Sequence, residues 1–522
     1  MNGKMAMMKR RPIGRREVLA GMAGGMLAGG LAHAETTPQT PSRGGTLTVG
    51  LNNDAKTYDP IFSVQYSERY VLYLVFDTLV KYGPDFSIQP ELAESWDTAA
   101  DGSRIVFALR HGIKFQDGTP FDAAAVKWNI DQRLDEKVNS PQRQLLAPIV
   151  ASVEVIDPQH VAFSLKEPSP VLFSLLGERA GFMVSPTAWQ ERGPGFGSQP
   201  VGTGAFILKE WTRGSRVLLE RNPNYWQPEL PYLDRLIVQD LAGAVIGVQR
   251  LLTGEIDYVD QLTPADVVPI QNRGGIVLKP IKVGRWYFLQ WHVNEPPFDN
   301  PKLRQAFAHA IDRDRLNEIA MRGQGTVSNG PTPPGLWWYD PGVKSYPHDP
   351  ARAKALSAEA GYPNGFEYVL STPQVTALQQ LNQLMQEQLG AVRIKLQLQP
   401  VAASEWYARV VSGTTNLTPT RWTQRADPDG LLYILFHSKG FANTTKYRNE
   451  RVDALLDKAR TVYDIAARKK LYAEAQQLIV NDLPIVPLIF GAEYAALRAG
   501  VNGFEWIPDQ IPRFRDLWKT AD

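Results

Sequence analysis

The sequence predicts an α/β fold, because helix-like and strand-like patterns alternate along the chain. Thr46–Val49 alternates polar and apolar side chains, as a half-buried strand does. Apolar residues recur at helical spacing from Leu378 to Leu389, where Gly390 is expected to close the helix, and Ile394 to Leu398 then alternate as a strand. The length of 522 residues exceeds one ordinary domain, so we expect about three structural units.

The stretch LRHGIKFQDGTPFDAAAVKWNI, from Leu109 to Ile130, predicts a strand end, a turn and a helix. Asp117-Gly118 favours a tight turn, since glycine tolerates a positive φ. Asp122 stands where a helix N-cap belongs, directly before an alanine-rich helical pattern.

Two later helices have the same kind of start. Asn300 is a predicted N-cap with Pro301 at the first helical position, and Asp349 with Pro350 repeats the arrangement. The run from Leu483 to Leu488 is apolar and contains two prolines, which is typical of an extended buried segment.

The first 34 residues read as an export signal. Six basic side chains precede an apolar run that ends in Ala32-His33-Ala34, a small-x-small cleavage pattern. Arg15-Arg16 resembles a twin-arginine motif, and an ordinary secretory signal is the alternative. Because this segment holds a single glutamate, the formal net charge of +2 becomes −3 for residues 35–522. A faintly acidic mature chain argues against a nucleic-acid partner.

The chain contains no cysteine. Disulfides, thiolate nucleophiles and cysteine-based zinc sites are therefore excluded, and no cysteine can carry a lipid anchor. An exported protein without an anchor would be lost from a cell with a single membrane. We therefore expect a soluble protein in the periplasm of a two-membrane bacterium.

Enzyme motifs are absent from the sequence. There is no G-x-S-x-G, no H-E-x-x-H and no P-loop, and the seven histidines form no pair at metal-ligand spacing. We therefore expect no catalytic residues, no metal and no cofactor. The 13 Trp, 19 Tyr and 20 Phe suit a core, and they suit equally a cleft that encloses a small molecule.

Several strings in order resemble the family 5 extracytoplasmic solute-binding proteins. They are the Leu109 to Ile130 stretch, PELAESW at Pro90 to Trp96, VGTGAF at Val201 to Phe206 and RNPNYW at Arg221 to Trp226. The resemblance implies a two-lobed periplasmic binding protein fold (type II, large cluster C type) with an extra subdomain inserted in the first lobe. It implies lobe I over 46–285 with the insertion at about 81–205, lobe II over 286–486, a return to lobe I over 487–522, and crossovers near Val283–Leu289 and Pro484–Phe490.

The resemblance also implies a function. The protein would be the periplasmic substrate-binding subunit of an ABC importer, a monomer that captures a peptide or another small molecule and delivers it to permease subunits in the inner membrane. A nickel–chelator complex, an opine, an oligosaccharide or an organic anion are alternative ligands. A secreted hydrolase and an adaptor for a membrane receptor are alternative roles.

The predicted ligand site centres on the loop TRWTQRADPDG. Trp422 aligns with the family's binding loop, and Arg421 and Arg425 flank it and can bind a carboxylate or phosphate. The alternative is that these two arginines are surface residues. Dipeptide-binding relatives place an aspartate near the position of Gln424, to hold the ligand's ammonium group. Its absence counts against simple dipeptides, because a buried ammonium needs a carboxylate partner.

An earlier loop of such relatives supplies an arginine for the ligand's carboxylate. The corresponding stretch here, STPQVTALQQ, offers Val375 and Thr376 instead. Tyr66 completes the predicted substrate-binding set, which is Tyr66, Thr376, Arg421, Trp422, Gln424 and Arg425.

Overall fold

Helices and strands alternate along the chain, which confirms the α/β prediction. The computed structural model describes residues 40–51, 55–241, 243–281, 283–373, 376–412, 414–507 and 509–520, so the predicted export signal lies outside the described residues. Residues 41–522 form one unit.

The strands in the described residues are β1 (Thr46–Leu51), β2 (Val80–Tyr82), β3 (Ile88–Pro90), β4 (Ala93–Thr98), β5 (Arg104–Leu109), β6 (Val150–Asp157), β7 (His160–Leu165), β8 (Phe206–Thr212), β9 (Arg216–Arg221), β10 (Arg235–Asp240), β11 (Tyr258–Leu262), β12 (Ile276–Pro280), β13 (Trp286–Gln290), β14 (Thr326–Val327), β15 (Phe366–Pro373), β16 (Ile394–Val401), β17 (Thr418–Trp422), β18 (Ile485–Phe490), β19 (Tyr494–Arg498), β20 (Val501–Asn502) and β21 (Trp518–Lys519). The α-helices are α1 (Glu68–Val75), α2 (Ala123–Leu134), α3 (Arg143–Leu146), α4 (Val171–Leu176), α5 (Pro186–Arg192), α6 (Ala244–Thr253), α7 (Pro301–Ala310), α8 (Arg313–Ala320), α9 (Pro350–Glu359), α10 (Thr376–Ala391), α11 (Ala403–Ser412), α12 (Leu432–Phe436), α13 (Glu450–Thr461) and α14 (Ile465–Asp482).

Two sheets organise the part of the chain that the structure describes. A seven-stranded sheet has the order β12-β19-β11-β1-β10-β9-β8, with β1 parallel to both of its neighbours. A four-stranded sheet has the order β14-β18-β13-β17. We call the part built on the seven-stranded sheet lobe I and the part built on the four-stranded sheet lobe II. The domain bounds taken from the sequence remain a prediction.

The chain changes sheets twice, and strand pairing moves these places slightly from where the sequence suggested. β13 and β18 pair with each other in lobe II, so most of both predicted crossover segments consists of strands. The chain leaves lobe I between Pro280 and Trp286 and returns between Phe490 and Tyr494. The two connections touch: a Cβ on Gly284 would lie 1.7 Å from the carbonyl oxygen of Gly491. This close approach excludes any side chain at position 284.

The Leu109 to Ile130 stretch begins at the end of β5 in a smaller antiparallel sheet, β4-β5-β7-β6. β5 ends at Leu109, Gly118 has a φ of +88°, and the Asp122 carboxylate accepts a hydrogen bond from the Ala125 amide at 2.9 Å. α2 then packs on β6 and β7. The turn and the cap therefore form as predicted, because both depend on neighbouring residues alone.

The caps predicted for two later helices are also confirmed. Asn300 accepts from the Lys302 amide at the start of α7, and Asp349 accepts from the Arg352 amide at the start of α9. One helix end differs from the prediction. Gly390 lies inside α10, which runs to Ala391, and the chain reverses at Arg393 with a φ of +68°.

Candidate functional site

A cavity of about 400 Å³ lies between the two lobes. Lobe I and the first connection contribute one wall, and the end of β17 contributes the other. Its lining includes Gln65, Tyr66, Arg69, Arg179, Gln261, Arg285, Arg421, Trp422, Thr423 and Arg425. None of the described residues that line it is acidic. We call this cavity the arginine chamber.

Three arginines on the lobe I side are held by two carboxylates, the partly buried Glu178 and the buried Glu493. Glu178 Oε1 lies 2.6 Å from Arg69 Nη1 and 2.7 Å from Arg179 Nη1. Burial alone would raise the pKa of Glu178, but the guanidinium groups of Arg69 and Arg179 outweigh it and hold the pKa at about 2. Arg285 pairs with Glu493 at 2.8 Å, and both side chains are buried. These pairs fix the positions of the three guanidinium groups.

The pair formed by Arg285 and Glu493 joins the two connections between the lobes. Arg285 lies on the first connection and Glu493 on the second. The Gly491 amide also donates to the Arg285 carbonyl at 2.9 Å, and the Ile281 amide donates to the Glu493 carbonyl at 2.8 Å. A guanidinium group that lines the arginine chamber is therefore anchored in the segments about which the lobes would move.

The two arginines on the lobe II side have no carboxylate partner. In the described part of the chain neither Arg421 nor Arg425 forms a salt bridge; Arg425 Nη1 donates instead to Thr423 Oγ1 at 2.8 Å. Burial lowers the pKa of Arg425, the negative charge of Glu178 opposes this, and the positive charge of Arg69 adds to it. This wall therefore presents two guanidinium groups that no salt bridge among the described residues holds.

Four of the five residues from Arg421 to Arg425 reach the chamber. Arg421, Trp422, Thr423 and Arg425 line it. Gln424 is fully buried, and its side-chain amide donates to the Pro331 carbonyl at 3.4 Å. Gln424 was predicted to contact the ligand, but it lies outside the lining. Thr376 begins α10, and its side chain lies outside the described residues.

Two aromatic rings complete the chamber. Trp422, at the end of β17, pairs with Trp286 of β13 and packs against the apolar cluster that contains Trp286. Tyr66 donates its hydroxyl to the Gln510 carbonyl at 2.5 Å. Arg69 and Arg285 lie over the Tyr66 ring, at 4.9 and 5.7 Å from its centroid. Since the Tyr66 hydroxyl already donates its proton to Gln510, the residue offers its ring to a ligand.

A buried polar layer lies behind the lobe I wall. Gln261 Nε2 donates to the Tyr70 hydroxyl at 2.8 Å, and Gln261 Oε1 accepts from Arg285 at 2.9 Å. The hydroxyls of Tyr70 and Tyr258 donate to Asp260 Oδ2 at 3.2 and 3.3 Å. Burial raises the pKa of Asp260 to about 7, although Arg285 opposes the rise.

The structure brings four of the six predicted residues into one lining: Tyr66, Arg421, Trp422 and Arg425. The sequence reasoning missed Arg69, Arg179, Gln261 and Arg285. For Arg179 a signal existed, because an arginine so close to the apolar run ending at Val184 needs a carboxylate, and Glu178 precedes it. Nothing local marks Gln261, which takes a left-handed φ of +57°.

The described residues also form wider grooves than the arginine chamber. No group of three or more His, Asp or Glu that could hold a metal occurs among them. None of the helices described has both the length and the apolar character needed to cross a membrane. A wider groove of about 860 Å³ lies beside Arg110 and Trp226, but lobe I residues alone form it.

Two lobes that enclose an inward-facing, charged chamber define a solute-binding protein. The family model for bacterial extracellular solute-binding proteins, family 5 (middle), matches residues 87–443. The chain belongs to this family, and its role is to bind a solute for an ABC importer. The predicted two-lobed α/β fold and the predicted functional class are confirmed.

Relatives and solved structures agree with this assignment. The chain is 32% identical over 481 residues to the glutathione-binding protein GsiB of Shigella flexneri, covering 90% of this chain and 94% of the relative. It resembles the periplasmic binding protein DppA of Helicobacter pylori in complex with the peptide STSA, with a TM-score of 0.83, 26% identity, and coverage of 92% of this chain and 99% of the other. It also resembles AgaA of A. tumefaciens R10 in complex with agropinic acid, with a TM-score of 0.80, 28% identity, and coverage of 92% and 99%.

Proposed function

We propose that the protein captures a small carboxylate-bearing solute, peptide-like or opine-like, in the arginine chamber and delivers it to the permease of an ABC importer. The lobes close on the ligand about the two connections, and the ligand leaves chemically unchanged. The protein acts as a monomer in the periplasm, without a lipid anchor, after export by the twin-arginine route.

The observation that carries this proposal is the charge imbalance of the chamber. Five arginines line it, and the two carboxylates that pair with them, Glu178 and Glu493, both pair with arginines on the lobe I side. Arg421 and Arg425 remain available from lobe II. A guanidinium group binds a carboxylate with two parallel hydrogen bonds, and the interaction strengthens when closure excludes water. An anionic ligand therefore supplies a negative charge to pair with Arg421 and Arg425.

The same lining disfavours a simple dipeptide with a free ammonium group. No acidic side chain among the described lining residues stands ready to pair with an ammonium group. Burying that group without a partner costs several kcal/mol. A ligand in which carboxylates outnumber ammonium groups avoids this cost.

The ligands named for the relatives support this class. GsiB is named for glutathione, and the DppA and AgaA structures contain a peptide and agropinic acid. A free peptide and an opine both carry carboxylate at neutral pH. At 26–32% identity these names indicate the class of ligand and not its identity.

Native mass spectrometry of protein purified without refolding identifies what the chamber retains. Titration calorimetry then compares glutathione, agropinic acid and the peptide STSA with counterparts in which the carboxylates are amidated. We expect a carboxylate ligand to lose about 30-fold or more in affinity when amidated, which corresponds to roughly 2 kcal/mol for a charge-assisted pair. Equal affinity for acid and amide would refute the proposal.

Arginine variants test which wall binds the carboxylate. Arg421→Ala and Arg425→Ala should each weaken binding by on the order of 2–5 kcal/mol if the guanidinium group is a direct partner. Arg104→Ala is the matched control, because Arg104 is half-exposed and pairs with Glu154 on the small sheet of β4 to β7. Unchanged binding by both chamber variants would contradict the proposal that Arg421 and Arg425 bind an anionic ligand.

Export and closure have separate tests. Changing Arg15 and Arg16 to lysine should leave precursor in the cytoplasm, and N-terminal sequencing of the exported protein should find Glu35 first. X-ray scattering should show a smaller radius of gyration once ligand is bound. Normal export of the double variant in cells lacking the twin-arginine machinery would show a different route.

A further inference from the structure

A second chamber of about 260 Å³ opens beside the arginine chamber. The two share Val64, Arg179, Trp422 and Arg425, so they are continuous along one side of Trp422 and Arg425. The second chamber also lies between the lobes: Val64, Leu145 and Leu175 come from lobe I, and Trp422, Ile434 and Phe441 from lobe II. We call it the apolar chamber.

The six side chains just named are all large and apolar, and none of them is fully buried. Val64 is 57% exposed and Phe441 is 53% exposed. Trp422 and Ile434 pack on the lobe II core on one side, and Leu175 packs on the lobe I core, so each offers its other side to the chamber. Apolar side chains that converge from two lobes on one enclosed space are typical of a ligand pocket.

The exposure of Val64 does not arise from a loose segment. Glu68 Oε2 accepts hydrogen bonds from the Val64 and Gln65 amides, each at 2.9 Å. Arg179 donates to the carbonyl oxygens of Val64 and Gln65, at 3.2 and 2.8 Å. The backbone is therefore tied on both sides, and the isopropyl group is held towards the chamber.

Among the described residues that line this chamber, Glu178 alone carries a carboxylate, and its Oε1 is occupied by Arg69 and Arg179. The chamber therefore has no free negative charge for a cationic group to meet. Its volume suits an apolar substituent, since a cavity of about 150 Å³ already accepts benzene. A phenyl ring or a branched aliphatic group of similar size fits with room to spare.

We propose that the natural ligand is amphipathic, with its carboxylate in the arginine chamber and an apolar substituent in the apolar chamber between Val64 and Phe441. This inference rests on the proposed function, because the carboxylate orients the ligand. Trp422 and Arg425 border both chambers and contact the ligand where its polar and apolar parts join. Ligands are thus selected by the distance between charge and apolar group as well as by charge.

Matched pairs of carboxylates test the inference. Glutathione with S-benzylglutathione, N-acetylglutamate with N-benzoylglutamate, and the dipeptides Gly-Glu with Phe-Glu differ within each pair chiefly in one apolar group. In calorimetric titrations we expect the apolar member of at least one pair to bind about tenfold tighter or more, in line with the effect of apolar groups in complementary pockets. If carboxylates bind but no pair shows this preference, the inference fails and the proposed function stands. If no carboxylate binds, both fail.

Variants at the two exposed side chains separate ligand contact from closure. Phe441→Ser should abolish the preference within a pair and leave the affinity of the less apolar member unchanged, and Val64→Ser, at a position that also borders the arginine chamber, should abolish the preference. Ile465→Ser is the matched control, since Ile465 is 61% exposed on α14 and lies outside the lining. Equal weakening of both members would mean that the two side chains only meet each other when the lobes close, and it would overturn the inference. Thermal melts check that each variant is folded.

Discussion

The two walls of the arginine chamber differ in whether their arginines pair with carboxylates of the protein. On the lobe I side Arg69, Arg179 and Arg285 are paired with carboxylates. On the lobe II side Arg421 and Arg425 have only neutral partners in the described residues, such as the Thr423 hydroxyl. One wall therefore holds its arginines in salt bridges with carboxylates of the protein, and the other has no such salt bridge among the described residues.

This difference separates structural arginines from ligand-binding ones. Removing one member of a buried pair leaves an uncompensated charge, so the cost appears as lost stability. Removing an arginine that has no partner costs the free protein little, and the cost appears as lost affinity. We therefore expect substitutions in the lobe I pairs to lower stability and substitutions on the lobe II wall to lower affinity. The largest effect is expected at Glu493 and the smallest effect on stability at Arg425.

The largest effect is expected for Glu493→Ala. Arg285 would stay buried without its partner, and the link between the two connections would be lost. We expect a loss of about 3–5 kcal/mol in the free energy of unfolding, measured by denaturant titration. Glu154→Ala removes an exposed pair with Arg104 and should cost less than about 1 kcal/mol. A Glu493→Ala protein as stable as this control would show that the hinge pair is dispensable.

Trp422→Ala should act on affinity. Trp422 borders both chambers, and the loss of a central aromatic contact costs roughly 2–4 kcal/mol of binding, or about 30-fold or more in Kd. Calorimetry with the ligand identified by mass spectrometry measures this loss. Normal binding by a folded variant would show that the alignment of the binding loop is wrong.

Asp260→Asn tests the buried layer behind the lobe I wall. The pKa of Asp260 is raised to about 7 in the folded protein, above its ordinary value of 3.8, so the folded state binds more protons than the unfolded state between these values. The free energy of unfolding contributed by Asp260 is therefore complete below about pH 4 and is lost as the pH rises through 7. We expect this loss to reach roughly 2–4 kcal/mol.

The measurement is the free energy of unfolding at several pH values between 4 and 8. Asp260→Asn should flatten the decline, and Glu94→Gln, at an exposed position of β4, should leave it unchanged. The same slope in the wild-type protein and the Asp260→Asn variant would contradict the assignment of the raised pKa to Asp260.

The smallest effect on stability is expected for Arg425→Ala. The guanidinium group feels both the negative charge of Glu178 and the positive charge of Arg69, and it forms no salt bridge among the described residues. Its removal should change the free energy of unfolding by less than about 0.5 kcal/mol, in contrast to Glu493→Ala. A destabilisation of several kcal/mol would place Arg425 with the structural arginines.

The sequence by itself determined the local features of this protein, and it identified the family. The Asp122, Asn300 and Asp349 caps and the buried strand near Leu483–Leu488 could be predicted because helix caps and strand periodicity depend on residues close in the chain. The strings that resemble family 5 proteins led to the correct fold and functional class. Tyr66, Arg421, Trp422 and Arg425 were also named from the sequence, and they meet in one cavity.

Only the tertiary structure decided how charge is distributed in that cavity. Arg285 and Glu493 are separated by 208 residues, and Arg69 and Glu178 by 109, so no local pattern connects them. Gln424 lies outside the lining because its side chain is buried and donates to the Pro331 carbonyl, 93 residues away in the chain. Ion pairing and side-chain orientation depend on contacts between distant segments of the chain, and those contacts exist only after folding.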